Sequence, residues 1–169
     1  MKLREIKAID LGQGENIPTL LELIQIAKGK IGLQCEVKAQ SFSRALVELL
    51  TKENLIENSI ISSFMFKELL KLQKLESDLK LALLIPPDIG SSQKLLNYSQ
   101  KAISNNFYAV HPYFNSINED YVKIIHKNDL LVNVWTVNEE SDIQKVLNMN
   151  VDGIISDDVE RVKKVLTQS

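Results

Sequence analysis

The sequence predicts an α/β protein built as an incomplete TIM-type (β/α) barrel, with about six parallel strands alternating with helices. Three observations lead there. Short, almost wholly apolar segments alternate with amphipathic ones at a spacing of roughly 20–27 residues, the rhythm of a parallel sheet covered by helices. Polar and aromatic residues sit at the C-terminal ends of several of these segments, where barrels carry their sites. The 169 residues fill one domain but fall short of the roughly 250 usual for a closed eight-stranded barrel.

Taken in order, the elements begin after a polar lead-in, MKLREIKAIDLGQGEN, that lacks the apolar core of a signal peptide. Ile17-Pro18-Thr19-Leu20 opens a helix in which Thr19 and Glu22 have capping-box spacing and Leu21, Ile24 and Ala27 recur at helical intervals. Gly29 and Gly32 end it, and Leu33 to Ala39 reads as a strand. Phe42, Ala45, Leu46, Leu49 and Leu50 form the apolar stripe of the next helix. Ser59 to Phe64 is a short strand, and Phe66 to Leu75 a helix. Leu81 to Ile85 is a strand stopped by Pro86-Pro87, which can continue neither helix nor ladder. Ser91 and Ser92 can cap the helix that follows.

Phe107 to Val110 is strand-like and closes at His111-Pro112. Ser116 and Glu119 repeat the capping-box spacing before Tyr121, Ile124 and Ile125. Leu130 to Val137 reads as the longest strand, with Asn138 as the cap of a short helix through Leu147. Val151 to Ser156 is the last strand, and Asp157 or Asp158 caps a terminal helix with Val159, Val162 and Val165 on one face. No linker or low-complexity segment interrupts the series, so residues 1–169 read as a single partial domain.

Composition narrows the function classes. The chain is 44% hydrophobic and 25% charged with net charge −2 and no basic stripe, which disfavours nucleic acid and anionic membrane as partners. No apolar run approaches the roughly 18 residues of a membrane span. The lone Cys35 forbids an internal disulfide and fits a reducing cytoplasm. His111 and His126 are the only side chains with ordinary pKa values near neutrality.

The strand ends carry the chemistry. Alternation in Leu33–Ala39 places Gln34, Glu36 and Lys38 on one face and Leu33, Cys35, Val37 and Ala39 on the other. A carboxylate and an ammonium on a strand covered by helices cost several kcal/mol unless paired, wet or bound to something. The plain alternative is an edge strand whose polar face lies in water. In Leu131–Asn138 the same alternation groups Asn133, Trp135 and Val137, and Trp135, the only tryptophan, stands at the strand's C-terminal end. Taken alone, that tryptophan reads as core. His111 closes a strand beside a proline, as a site or as a turn, and His126 sits at a charged helix end where a solvated ring is expected. By strand count alone a doubly wound open sheet would be preferred. It lacks support from any G-x-G-x-x-G or P-loop, because Gly12-Gln13-Gly14 has neither a strong strand before it nor a third glycine.

The run IPTLLELIQIAKGKIGLQCEVKA, then IISSF, then VNVWTVNEESDIQKVLNMNVDGIISD resembles the glycerophosphodiester phosphodiesterase family. The resemblance extends from about Leu11 to the C-terminus, and between Leu70 and Asn128 it is one of rhythm only. It implies a (β/α)₈ barrel of which these six strands correspond to the last six. It implies hydrolysis of glycerophosphodiesters to glycerol 3-phosphate and an alcohol with Mg²⁺ or Ca²⁺, two histidines acting as acid and base. Glu36 then corresponds to a metal carboxylate, Lys38 to a phosphate-contacting lysine, and Phe64 and Trp135 to an apolar wall beside glycerol and leaving group. Asn138 and Asp157 match motif positions but read as helix caps, and Ser156 stands where the family has threonine.

The family's HRG and HD motifs do not occur in this sequence, and no E-x-D precedes Glu36-Val37-Lys38, where the family's first two strands would carry it. The resemblance therefore implies weak metal binding and no turnover by this chain alone, and a shortened barrel open at Leu33–Ala39 and Val151–Asp157. Another copy, or a separate N-terminal fragment, would close it. The non-enzymatic reading is a barrel remnant that self-associates or binds without chemistry.

Overall fold

The structure, a computed structural model, describes residues 1–168. Packing divides the chain into Met1–Leu33 and a second unit from Gln34 onward.

The first unit holds α1 (Leu3–Lys7) and α2 (Leu20–Ala27). The capping box of α2 forms as the spacing predicts. Thr19 Oγ1 accepts the Glu22 N–H at 3.2 Å, and the Glu22 carboxylate accepts the Thr19 N–H at 2.7 Å. The Lys7 ammonium, 2.7 Å from Glu22, together with the Thr19 bonds, holds the Glu22 carboxyl down at about 2. Gly29 follows α2 at φ +76° in open space, so its conformation rather than its size requires glycine.

The second unit carries a six-stranded parallel sheet in sequential order. Its strands are β1 (Leu33–Glu36), β2 (Ser59–Ser63), β3 (Lys80–Ile85), β4 (Ala109–Pro112), β5 (Leu131–Val134) and β6 (Gly153–Ile154). Between them run α3 (Ser43–Lys52), α4 (Phe66–Leu75), α5 (Ser92–Ile103), α6 (Glu119–His126) and α7 (Glu140–Asn148), with α8 (Val159–Gln168) last. Consecutive parallel neighbours joined by helices are the strand order of a (β/α) barrel, so the predicted incomplete barrel is what forms. β1 and β6 stand at the two ends of the sheet. The apolar face buries Ile61, Leu83, Val110, Val132 and Val134 completely. α4 packs on β2 and β3, α5 on β3 and β4, and α6 on β5.

Several boundaries differ from the sequence reading. The longest strand is β3, with six residues, while β5 has four. Beyond Val134 pairing narrows to a single bridge between Tyr113 and Trp135. The cap of α6 is Asn118, whose Oδ1 accepts the Tyr121 N–H at 2.9 Å. It stands directly before the first helical residue, whereas Ser116 lies in a 3₁₀ turn (Phe114–Ser116) and donates to the Pro87 carbonyl. The N-cap of α7 is Glu139, without a side-chain bond, because Asn138 is engaged elsewhere. Of the two candidates read for the cap of α8, it is Asp158 that accepts the Arg161 N–H, at 3.0 Å.

Candidate functional site

The C-terminal ends of β1, β2, β4 and β5 bring the candidate residues to one face. Val37 N–H donates to the Ser62 carbonyl at 2.8 Å and Ser63 Oγ donates to the Val37 carbonyl at 2.6 Å. These bonds set Val37 beside Ser63, so Glu36 and Lys38 fall on the same side as Ser62 and Phe64. The alternation read from β1 holds as far as Lys38, with Leu33 and Val37 buried, Cys35 half-buried and Gln34, Glu36 and Lys38 exposed; Ala39, read on the buried face, lies past the strand's end at Glu36 and is exposed. Lys38 Nζ lies 3.1 Å from Glu36, with their side chains 76% and 33% accessible. An ion pair this wet contributes at most about 1 kcal/mol, so solvent, not burial, settles its charges.

Three rings line the neighbouring strand ends. Phe64 meets Trp135 edge to face with centroids 5.6 Å apart and planes at 84°. Tyr113 meets Trp135 at 5.7 Å and 61°. Tyr113 was absent from the candidates read in the sequence; its place two residues after His111 puts it on the same strand face, and that parity was the available signal. The indole Nε1–H of Trp135 donates to the His111 carbonyl at 2.7 Å. The Trp135–Thr136 peptide is cis.

One step deeper lies a row of four residues in register: Leu84 beside His111, His111 beside Asn133, and Asn133 beside Gly153. His111 has no solvent exposure, and burial lowers its pKa to about 4, so the imidazole is neutral at physiological pH. Asn133 Nδ2 donates to His111 Nε2 at 3.0 Å, which leaves the ring proton on Nδ1. That Nδ1 has no hydrogen-bond partner, nor has the buried Oγ of Ser62. His111 is thus part of the buried layer under the aromatic rings rather than a turn residue.

His126 is at the other end of the sheet. Its Nε2 lies 2.7 Å from Asp152 Oδ2, which also accepts the Val132 N–H at 2.7 Å. The pair ties the end of α6 to the N-terminal ends of β5 and β6, away from the rings, and His126 is therefore not simply solvated. The carboxylate of Glu68, 2% exposed, is held by Lys71 at 2.6 Å and Ser43 at 3.1 Å, and the Lys71 bond in particular lowers its pKa. It borders a cleft of about 330 Å³ with Arg44, Lys71 and Lys74 between α3 and α4.

Asn138 and Asp157 meet across two loops. Asn138 Oδ1 accepts from Ser156 Oγ and from the Asp157 N–H, each at 3.0 Å, and its Nδ2 donates to Asp157 Oδ2 at 2.9 Å. Arg161 Nη1 closes the set on the Asn138 carbonyl at 2.7 Å. These residues fasten the loop after β5 to the loop after β6, and neither acts as the cap read from the sequence.

A divalent cation such as Mg²⁺ or Ca²⁺ takes six or more oxygen ligands, several of them carboxylate. Glu36 offers one carboxylate, already turned to Lys38. Among the described residues no group of three or more His, Cys, Asp or Glu side chains converges as a metal site. The residues of this chain do not by themselves fit such an ion. Among the described residues no helix is long and apolar enough to cross a membrane.

Comparison with known proteins bears on the family and the fold. The model of the glycerophosphoryl diester phosphodiesterase family matches residues 1–161. A curated glycerophosphodiester phosphodiesterase of Caldanaerobacter subterraneus subsp. tengcongensis is 30% identical over 171 residues, covering 94% of this chain and 68% of that protein. Among solved structures, the phosphodiesterase of Oleispira antarctica in complex with the product sn-glycerol-3-phosphate superposes with a TM-score of 0.82 at 23% identity, over 98% of this chain and 70% of that one. A Silicibacter pomeroyi structure matches at TM-score 0.82 and 23% identity, and the chain spans only 58% of its length. At these identities the solved structures bear on the fold alone.

Proposed function

This chain belongs to the glycerophosphoryl diester phosphodiesterase family, and from that premise we propose that it carries the substrate-holding side of a site for metal-assisted hydrolysis of glycerophosphodiesters to glycerol 3-phosphate and an alcohol. The observation that carries the reading is the convergence on one strand face of the Glu36–Lys38 pair with Phe64, Tyr113 and Trp135. A phosphodiester brings a negative charge flanked by two carbon chains. An accessible ammonium meets the charge, and apolar rings meet the carbon. Lys38 contacts the phosphate, while Phe64 and Trp135 pack against glycerol and leaving group. Glu36 is the one metal-type carboxylate on that face, and by itself it is too few ligands to hold Mg²⁺ or Ca²⁺.

Neither histidine of this chain is free at the site face for acid–base transfer. His111 is fully buried, and His126 lies at the opposite strand ends, bonded to Asp152. The 169-residue chain alone therefore does not turn over glycerophosphocholine, with Mg²⁺, Ca²⁺ or chelator. Its single carboxylate gives Mg²⁺ and Ca²⁺ dissociation constants weaker than about 1 mM by calorimetry. Binding does not require turnover: sn-glycerol 3-phosphate, the product bound in the Oleispira protein, should quench the fluorescence of the sole tryptophan, and Lys38→Met should weaken that binding about tenfold. Metal-dependent release of glycerol 3-phosphate by this chain would overturn the acid–base argument. An unresponsive Trp135 in the folded protein would overturn the substrate-wall argument.

A second reading rests on the end strands β1 and β6, which among the described residues have no further neighbour in the sheet. Under it, the chain is a non-catalytic, self-associating module. Light-scattering mass separates the two: a monomer at micromolar concentration removes self-association through the edges. The single cysteine, half-buried and with its thiol pKa raised by burial, is in keeping with work in a reducing cytoplasm.

A further inference from the structure

We infer that His111 is a positioning residue for the aromatic wall, holding Trp135 through its main-chain carbonyl and through the Asn133 amide. The inference rests on the reading of Trp135 as a wall residue for its functional meaning, but its geometry stands apart from that reading. Two cross-strand pairs are stacked on β4 and β5. His111 and Asn133 form the lower pair at 3.0 Å, and Tyr113 and Trp135, each two residues further on, form the upper pair at 5.7 Å. Side chains two residues apart on a strand share a face, so the lower pair sets the strand separation at which the upper rings meet.

The ladder itself explains why side chains carry this task. Trp135 N–H donates to the Pro112 carbonyl at 3.3 Å, and Phe114 N–H donates to the Trp135 carbonyl at 3.1 Å. In that alternation residue 112 would donate to the Asn133 carbonyl, and proline has no N–H to give. One rung between β4 and β5 is therefore absent directly beneath the rings. Two bonds flank that gap: the amide of Asn133 to the His111 imidazole, and the Trp135 indole to the His111 carbonyl. Both end on His111. Because that residue is fully buried, with Leu84 on its other side, it has no room to follow a wandering indole. His111 touches no substrate under this assignment; it acts through Trp135 and Asn133.

The sole tryptophan makes the inference measurable, since the protein gives one indole N–H resonance. In the full 169-residue chain, His111→Leu keeps the main-chain carbonyl but removes the imidazole that holds the Asn133 amide, so the indole bond should loosen: its resonance moves toward the position of a free indole and its exchange with solvent speeds up by roughly threefold to tenfold. His111→Gln, whose side-chain amide reaches about as far as imidazole Nε2, should restore both. Asn133→Ala should move the resonance in the same direction while leaving residue 111 intact, and it decides the matter if His111→Leu does not fold. Leu50→Ala, a core change in α3, serves as the comparison for lost stability alone. An unmoved indole in folded His111→Leu or Asn133→Ala would overturn the inference. So would an equal shift in Leu50→Ala. Titration of the wild-type protein with sn-glycerol 3-phosphate is read separately: no response there removes the wall reading, whereas the exchange data still judge the positioning.

Discussion

Replacing Gly153 with alanine is expected to lower the unfolding free energy by about 2–3 kcal/mol, a large share of the roughly 5–15 kcal/mol that holds a domain together. A Cβ at position 153 would stand 2.5 Å from Asn133 Oδ1 and 2.9 Å from its Cγ. The backbone there is not left-handed, so alanine is excluded by space and not by conformation. Nor can the amide swing away freely, because its Nδ2 is the partner of the buried His111 ring. The collision must be absorbed by the β5–β6 spacing or by breaking the imidazole bond, and either is costly. Asn133→Ala removes the obstructing atoms but also strands the imidazole. The double variant should thus cost less than the two single changes together, by about 1–2 kcal/mol. Urea titration of the four proteins measures this. A Gly153→Ala protein within about 0.5 kcal/mol of wild type, or strict additivity, would show that Asn133 moves aside more easily than its contacts indicate.

The glycine illustrates what the sequence could and could not disclose. Gly29 is legible locally, because a helix stripe ends just before it and a left-handed residue closes helices. Gly153 is required by a side chain twenty residues earlier, and no local pattern announces that. The same division runs through the rest of the chain. Periodicity and alternation are properties of neighbouring residues, so the strand–helix rhythm was readable, as were the capping box of α2 and the split of β1 into Leu33 and Val37 against Gln34, Glu36 and Lys38. Asn138 was misread because an asparagine before a helix looks like a cap, whereas its partners Ser156 and Asp157 arrive from the next loop. Ser116 was misread because Asn118, closer to the helix, competes for the same N–H groups. The role of His111 was hidden for a third reason. Its neighbours in space lie on β3 and β5, and only the register shows that a polar pair lies beneath the aromatic one.

Acid should find the buried imidazole first. The His111 pKa stands near 4 in the folded protein because burial disfavours the cation, against 6.5 for an exposed ring. Between those values the unfolded chain takes up a proton that the folded chain refuses. Stability is therefore complete above about pH 6.5, falls as pH drops through the window, and has lost roughly 3 kcal/mol from this group near pH 4. The carboxyls held low by their partners, Glu22 and Glu68, act in the same direction but only below their ordinary value of 4.5. Between pH 7 and pH 5 wild type should therefore lose about 2 kcal/mol more than His111→Gln. His111→Gln has nothing to protonate at this site, and His126 is present in both proteins and cancels in their difference. If urea midpoints for wild type and His111→Gln fall in parallel over that interval, the imidazole takes its proton without resistance. Its contact with Asn133, and with it the layer beneath the aromatic wall, would then be looser than 3.0 Å and full burial imply.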